Sequence, residues 1–319
     1  MQVVRSLTFL FFITLLLSCN QQSDQSSADA EKQPQVALIM KSLANEFFTN
    51  MSIGAKNHQK ENPNRYELIV NGIHNETDLS HQVALVEQMV AAEVDAIVIA
   101  PADSKALVPV LARAKERGIV VVNIDNKLDD IVMKEYETQI PFIGPDNKFG
   151  ASVVGEYLAK KLITGDQVAV LEGITSSNNS QARKAGFIEA AKNHGLIIQT
   201  IQSAFWEQRK AAEITSAILI KHPDLKGVMA ANDSMALGAA SAIKQAGKTG
   251  EILVVGFDNI SAVQTLIKSG DILATADQHA DLLAVYGIGF ALDILAGKAV
   301  LERRETPIDL ITQEVLETL

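Results

Sequence analysis

Side chains with planar polar ends follow the apolar strands that this sequence predicts. The polar groups after successive apolar runs are Lys41, Ser42 and Asn45; Asn123, Asp125 and Asn126; Glu172 and Ser176 to Gln181; Asn232 and Asp233; Asp258 and Asn259; and Asp277 and Gln278. Carboxylates, amides and hydroxyls each offer several hydrogen-bonding positions to a polar ligand. Open parallel sheets bind ligands beyond the carboxyl ends of their strands. The pattern therefore predicts polar strand ends that line a single cleft between two facing lobes.

The elements that position these groups alternate between strand and helix. Apolar runs at 36–40, 68–70, 96–100 and 119–124 predict strands, and amphipathic segments at 47–59, 78–91 and 104–117 predict the helices between them. After an irregular stretch at 127–139, the same alternation restarts and continues to a long helix at 282–295. Continuous β-branched runs suit strands that are covered on both faces. The fold class expected is α/β, with two doubly wound parallel-sheet lobes.

The amino-terminal segment carries the pattern of an export signal. A basic residue, Arg5, precedes an apolar run at 7–17, which is too short to span a bilayer and ends at Leu-Leu-Ser-Cys19. This ending resembles a bacterial lipobox, whose cysteine is lipidated. Residues 1–19 are expected to be a lipoprotein signal peptide and 20–35 a flexible tether, which predicts an exported, lipid-anchored protein in the periplasm or at the cell surface. The alternative is a signal peptide cut elsewhere, with Cys19 incidental.

Composition and motifs argue against several function classes. The 319-residue chain has a formal net charge of −10, and nucleic acid or an anionic membrane surface would favour a basic face. The 6 histidines are scattered, without the spacing of metal ligands. The sequence has neither a glycine-rich phosphate loop after the first strand nor a G-x-S-x-G elbow. No cofactor, metal or catalytic residue is predicted.

Several longer motifs resemble those of one family. VALIMKSLANEFF, VVNIDN, IGPDN, RKAGF, AANDSMALGA and VVGFDN are similar in type and spacing to segments of the type 1 periplasmic sugar-binding proteins, the ribose-binding protein family. The resemblance implies two lobes joined by a three-segment hinge, with crossings near 144–146, 258–259 and 277–279. It places 36–145 plus 279–306 in the amino-terminal lobe and 146–278 plus 307–319 in the carboxy-terminal lobe.

The resemblance also implies a set of ligand-binding residues. Aromatic rings would cover the C–H faces of a sugar, and planar polar groups would bind its hydroxyls. The implied set is Lys41, Asn45, Phe47, Phe48, Asp125, Asn126, Gln181, Trp206, Asn232, Asp258 and Gln278. Asn126 and Gln181 stand where ribose binders have arginines, and Lys41 adds a cation, so another pentose, a hexose or a polyol is as plausible as D-ribose. Arg183 is interpreted as structural.

Each of these residues also has a structural interpretation. Phe47 and Phe48 could begin a buried helix, and Trp206 could anchor a loop. Asp125 and Asp258 could cap a turn or a helix. Of the pair Asn232–Asp233, Asp233 is expected to be the helix cap and Asn232 the ligand contact.

The function implied by the resemblance is that of a solute-binding protein of an ABC importer. It would be a monomer that closes on a sugar or polyol and presents the closed form to a membrane permease. An alternative is a sensor that presents its ligand to a membrane receptor or kinase. A glycoside hydrolase with Asp125 and Asp258 as acid and base is disfavoured, because polar groups surround both carboxyls and catalysis needs an apolar pocket to raise one pKa.

Overall fold

The computed structural model describes residues 32–298 and 302–318. The predicted signal peptide, Cys19 and residues 20–31 of the predicted tether lie outside the described residues.

Strands and helices alternate along the described chain. The strands are β1 (Gln35–Ser42), β2 (Glu67–Ile73), β3 (Ala96–Ile99), β4 (Val120–Ile124), β5 (Phe142–Pro145), β6 (Gln167–Glu172), β7 (Ile197–Ser203), β8 (Leu225–Ala230), β9 (Leu253–Val255), β10 (Ala274–Asp277), β11 (Arg303–Thr306) and β12 (Asp309–Thr312). The helices are α1 (Glu46–Glu61), α2 (Leu79–Ala91), α3 (Val108–Glu116), α4 (Asp130–Glu135), α5 (Asn147–Ala159), α6 (Asn178–Asn193), α7 (Gln208–Lys221), α8 (Asp233–Gln245), α9 (Ser261–Ser269), α10 (Ala280–Leu295) and α11 (Gln313–Thr318).

The strands form two 6-stranded sheets, one in each lobe. The first has the order β11-β5-β4-β3-β1-β2 and the second the order β12-β10-β9-β8-β6-β7. In both sheets the strand order reverses beside the first strand of the lobe, which is the switch point where doubly wound sheets bind ligands. The predicted α/β class with two lobes is confirmed.

The edge strands differ from the prediction. Neither β11 nor β12 was expected, and β12 pairs antiparallel with β10, so the second sheet is not wholly parallel. Arg303, Arg304 and Glu305 of β11 are exposed. An edge strand with charged side chains has no long apolar run, which is why the sequence pattern did not indicate it.

Burial on both faces explains the apolar composition of the central strands. Val36, Leu38 and Met40 of β1 belong to one buried apolar cluster, whereas Ala37 and Ile39 belong to the other. Alternate residues of a strand point to opposite faces of the sheet. Since helices cover both faces, every position of this run is apolar.

The chain passes between the sheets at three places within the described residues. Two lie between β5 and α5 and between β10 and α10, as the crossings at 144–146 and 277–279 predicted. The third lies between β11 and β12, after Thr306. The crossing predicted at 258–259 is wrong, because that segment joins β9 to β10 within the second sheet.

Within residues 32–298 and 302–318, none of the helices combines the length and the apolar character that crossing a bilayer requires.

Close packing of α5 against α6 predicts the effect of one glycine substitution. A Cβ on Gly186 would lie 2.3 Å from the Lys148 carbonyl oxygen and 2.8 Å from the Ser152 nitrogen. Gly186→Ala is therefore expected to lower the free energy of unfolding by about 1–3 kcal/mol, since the backbone of α5 must move. Urea denaturation of the purified protein measures this change.

Gly289→Ala in α10 is the matched control. A Cβ there meets nothing within 4 Å, so the alanine is expected to be neutral or to stabilise the helix by up to about 1 kcal/mol. Equal stability of the two variants would contradict the packing argument.

Candidate functional site

The predicted polar groups lie at the carboxyl ends of the strands. Lys41 is the second-last residue of β1, and Asp125 follows β4. On the second lobe, Asn232, Asp258 and Gln278 follow β8, β9 and β10. The two sheet edges face each other, so these side chains lie close together.

A cavity between the lobes collects most of them. The empty space there, part of it open to solvent, is about 240 Å³. Its lining residues are Lys41, Asn45, Phe47, Phe48, Glu76, Asp125, Asn179, Arg183, Trp206, Asn232, Asp258 and Gln278.

The first lobe contributes a buried ion pair. Lys41 Nζ lies 2.9 Å from Asp125 Oδ2, and both side chains are almost fully buried. Asp125 has a φ of 61°, a left-handed conformation that is uncommon for a residue with a side chain and that often marks a functional site. Because a buried charge requires a partner, each of these groups holds the other in place.

Glu76 extends the polar surface of the first lobe. Its Oε1 accepts a hydrogen bond of 3.2 Å from Asn45 Nδ2. Burial raises the pKa of the Glu76 carboxyl to about 7, although the charge of Lys41 and the bond from Asn45 oppose that rise. At neutral pH the group therefore exists in both the protonated and the ionised form. Glu76 was not predicted, because no apolar strand ends directly before it.

The second lobe contributes a buried guanidinium. Arg183 Nε donates to Asn147 Oδ1 at 2.7 Å, and Nη1 donates to the Ala231 carbonyl at 2.8 Å. The Phe257 ring lies 3.7 Å from the guanidinium carbon, and Asp258 Oδ1 lies 3.5 Å from Nη1. These bonds agree with the interpretation of Arg183 as structural, but Arg183 also lines the cavity.

Asp258 and Gln278 form the opposite side of this cluster. Gln278 Nε2 donates to Asp258 Oδ1 at 2.6 Å. Burial raises the pKa of the Asp258 carboxyl well above its usual range, and the charge of Arg183 counteracts that rise. The predicted capping alternative for Asp258 is not observed, since the side chain bonds Gln278 and Arg183.

Besides Asp125 Oδ2, which is ion-paired with Lys41 Nζ, four lining residues carry a buried polar atom without a hydrogen-bond partner in the protein. These atoms are Asn179 Oδ1, Arg183 Nη2, Trp206 Nε1 and Gln278 Oε1. Two are donors and two are acceptors. Since buried polar groups are almost always hydrogen-bonded, the set fits a bound partner that both donates and accepts.

Aromatic rings form the apolar part of the cavity. Phe47 and Phe48 meet edge to face with ring centroids 5.0 Å apart. Lys41 Nζ lies 5.6 Å from the Phe48 ring centroid and 5.9 Å from that of Trp206. The lysine ammonium therefore lies close to an aromatic ring of each lobe.

The position of Trp206 depends on its local backbone. Phe205 and Trp206 have φ values of 55° and 68°, two successive left-handed residues at a cost of about 1–3 kcal/mol each. A Cβ on Gly173 would lie 2.0 Å from the Trp206 ring. Glycine at 173 thus leaves room for the indole, which is 4% exposed.

Two predicted residues are not brought to the cavity. Asn126 is fully buried beneath it, where its Nδ2 donates to the Pro101 carbonyl at 2.9 Å. Gln181 is exposed, and its Nε2 donates to the Thr175 carbonyl at 2.9 Å. Helix α6 begins at Asn178, and it places Gln181 on its outer face, whereas Asn179 lines the cavity.

In the pair Asn232–Asp233, the helix cap is Asn232 and not Asp233. Asn232 is the N-cap of α8, with Oδ1 accepting from Met235 N at 2.9 Å, and it also lines the cavity. Asp233 is buried within the lobe, where it accepts from Thr275 Oγ1 at 2.7 Å and Ile260 N at 2.9 Å. The choice of Asp233 as the helix cap is wrong.

Metal coordination is not indicated in this part of the molecule. Among residues 32–298 and 302–318, no three His, Cys, Asp or Glu side chains are placed to hold an ion.

Comparison with known sequences gives a family match along most of the chain. The family profile described as periplasmic binding protein domain matches residues 36–299. A D-ribose/D-allose-binding protein of Pseudomonas aeruginosa is 50% identical over 309 residues, covering 95% of this chain and 97% of the relative. The D-allose-binding periplasmic protein of Escherichia coli is 30% identical, and the match covers 92% of this chain and 94% of the relative.

Solved structures share the two-lobed fold. A solute-binding protein of an ABC transporter from Burkholderia multivorans, with an unknown ligand represented as α-D-erythrofuranose, is 51% identical with a TM-score of 0.86; the match covers 88% of this chain and 100% of that one. A periplasmic solute-binding protein from Actinobacillus succinogenes with bound D-allose is 33% identical with a TM-score of 0.85, covering 90% and 100%.

The raised pKa of Glu76 predicts a pH-dependent effect of Glu76→Gln. The folded carboxyl binds its proton more tightly than the unfolded one, so Glu76 lowers stability progressively as pH rises from about 4.5 to about 7. Glutamine keeps an acceptor for Asn45 and cannot ionise. The variant is therefore expected to match the wild type near pH 4.5 and to be more stable at pH 8, as measured by urea denaturation across this range.

Glu67→Gln serves as the control, because Glu67 is an exposed carboxylate that accepts a hydrogen bond from Gln35. A stability difference for Glu76→Gln that does not grow with pH, or that Glu67→Gln reproduces, would contradict the assignment.

Proposed function

This chain belongs to the periplasmic binding protein family, and from this membership and the cavity we propose that it binds one monosaccharide between its lobes for import by an ABC transporter. The observation that carries the proposal is the set of unpartnered donors and acceptors on Asn179, Arg183, Trp206 and Gln278. A sugar hydroxyl is both donor and acceptor, so adjacent hydroxyls can satisfy groups of both kinds. D-Allose and D-ribose are the first candidates, since named relatives bind them.

The charges of the cavity favour an uncharged ligand. Lys41 is paired with Asp125, and Arg183 lies beside Asp258, so each buried cation already has a carboxylate neighbour. A sugar acid or sugar phosphate would add an unpaired charge to a buried site, at a high cost in desolvation. Neutral hydroxyls instead form charge-assisted hydrogen bonds with these groups.

The aromatic residues give the site its apolar surfaces. Phe48 of the first lobe and Trp206 of the second would cover the C–H faces of the ring and fix its orientation. Glu76, Asn179 and Arg183 join the predicted ligand-binding residues, while Asn126 and Gln181 act outside the direct contacts.

Binding would proceed by closure of the two lobes. The segments after β5, after β10 and between β11 and β12 would form the hinge, with 36–145 plus 279–306 and 146–278 plus 307–319 as its two bodies. The ligand shifts the equilibrium toward the closed form because it contacts both lobes there. The permease in the membrane would recognise that form.

Localisation follows from the leader. We infer that the chain is exported, that Cys19 carries a lipid after removal of residues 1–18, and that the remaining protein is a monomer anchored to a membrane through that lipid alone. The lipobox-like Leu-Leu-Ser-Cys19 and the polar segment after it support this inference.

Isothermal titration calorimetry of the purified chain with D-allose, D-ribose and D-fucose tests the proposed function. Binding of at least one sugar with one molecule per chain is expected, and none is expected to be hydrolysed. Absence of heat for a panel of neutral pentoses and hexoses, together with binding of a charged sugar, would contradict the proposal.

Asn179→Ala gives a sharper prediction for the site itself. Asn179 Oδ1 has no partner within the protein, so its removal breaks no intramolecular hydrogen bond of that oxygen. Stability is expected to change by less than about 0.5 kcal/mol, whereas affinity for the bound sugar falls about fivefold to tenfold. Unchanged affinity in calorimetry would remove Asn179 from the site.

A further inference from the structure

Helix α6 of the second lobe begins without a cap from its own N-cap residue. Ser177 is the N-cap, and its side chain accepts no hydrogen bond from the helix. Ser177 Oγ instead donates to the Ala102 carbonyl of the first lobe at 3.2 Å. The first N–H groups of any helix lack intrahelical acceptors, so those of α6 need partners from elsewhere.

The first lobe supplies those partners. The Asn178 N–H donates to Ser104 Oγ at 2.9 Å, and the Asn179 N–H donates to Asn126 Oδ1 at 3.2 Å. Ser104 lies after β3 and Asn126 after β4, both in the sheet opposite to the one that α6 packs against. Of the other helices in the second lobe, α5 and α8 are capped by Asp146 and Asn232 directly before them, whereas α7 and α9 begin without a side-chain cap.

The two acceptors, Ser104 Oγ and Asn126 Oδ1, are held in place by hydrogen bonds within the first lobe. Ser104 Oγ donates to Asn126 Oδ1 at 3.2 Å, and Asn126 Nδ2 donates to the Pro101 carbonyl at 2.9 Å, with every atom of this chain of bonds in the first lobe. A serine hydroxyl that donates to Asn126 keeps its lone pairs free to accept from Asn178. The surface that receives α6 is therefore preorganised.

We propose that Ser104 and Asn126 form an interlobe helix cap that stabilises the closed state and thereby sets the rate at which a bound sugar is released. Capping requires both lobes, so its free energy is gained on closure and lost on opening. Neither residue lines the cavity, which makes them positioning residues that also orient Asn179 toward the ligand. This inference rests on the proposed function, and it assigns a role to Asn126 that its predicted ligand contact did not.

Two substitutions at Asn178 isolate the hydrogen bond from the Asn178 N–H to Ser104 Oγ. Asn178→Ala keeps the N–H that Ser104 accepts, whereas Asn178→Pro removes it; both lose the side-chain bond to the Lys127 carbonyl. Proline is well tolerated at the first position of a helix. Ser177 has φ −85° and ψ 132°, the extended conformation that a residue before proline requires.

Ser104→Ala is then measured in each background by stopped-flow kinetics with D-allose or D-ribose. With Asn178→Ala, Ser104→Ala is expected to raise the dissociation rate about fivefold, with little change in the association rate. With Asn178→Pro, it is expected to raise that rate less than twofold, because the donor is already absent. An equal effect in the two backgrounds, or an effect on association alone, would overturn the proposal.

Ser216→Ala is the matched control, since Ser216 Oγ donates to the Ala212 carbonyl within α7 at 2.9 Å on an exposed surface. It should leave both rates unchanged.

A second readout uses no sugar: spin labels on the two lobes report the interlobe distance of the ligand-free chain by double electron–electron resonance. Ser104→Ala is expected to lower the closed fraction, and an unchanged distribution would overturn the proposal. A wild-type chain that binds no sugar would contradict the proposed function, while this second readout would still test the cap.

Discussion

The buried guanidinium of Arg183 is the constraint on which the rest of the site depends. Burial lowers the pKa of Arg183, but nearby carboxylates, Asp258 foremost, oppose that shift. Asn147 and the Ala231 carbonyl take two of its donor groups, and Phe257 covers one face. Nη2 is left without a partner in the protein. An unsatisfied donor of this kind is costly away from water, so a ligand hydroxyl that accepts a hydrogen bond from Nη2 is favoured at this position.

In the first lobe, the buried charges are paired with each other. Lys41 and Asp125 neutralise each other across the ends of β1 and β4, and burial raises the pKa of Glu76 to about 7. The ligand therefore meets fixed dipoles and paired charges that need little rearrangement. Preorganisation of this kind lowers the entropic cost of binding. The interlobe cap of α6 adds a contribution to closure that does not depend on which sugar is bound.

Much of the fold was predictable because its central strands are buried on both faces. Continuous apolar runs located the inner strands, and the polar residues directly after them located most of the cavity. The edge strands β11 and β12 escaped prediction, since exposed edges carry no apolar run. Gln181 was expected in the site because it stands where ribose binders have an arginine, but it lies on the outer face of α6, and Asn179, two positions earlier, lines the cavity instead. Arg183 and Glu76 were missed, because tertiary contacts rather than local pattern bring a residue inside a helix or a loop to the cavity.

The crystal structure of the chain grown with D-allose tests the central claim most directly. The account predicts one sugar between Phe48 and Trp206, with hydroxyls within hydrogen-bond distance of Arg183 Nη2 and Gln278 Oε1. A sugar bound elsewhere on the molecule would contradict it. So would a closed cavity in which Arg183 Nη2 and Gln278 Oε1 form hydrogen bonds only with protein groups or water.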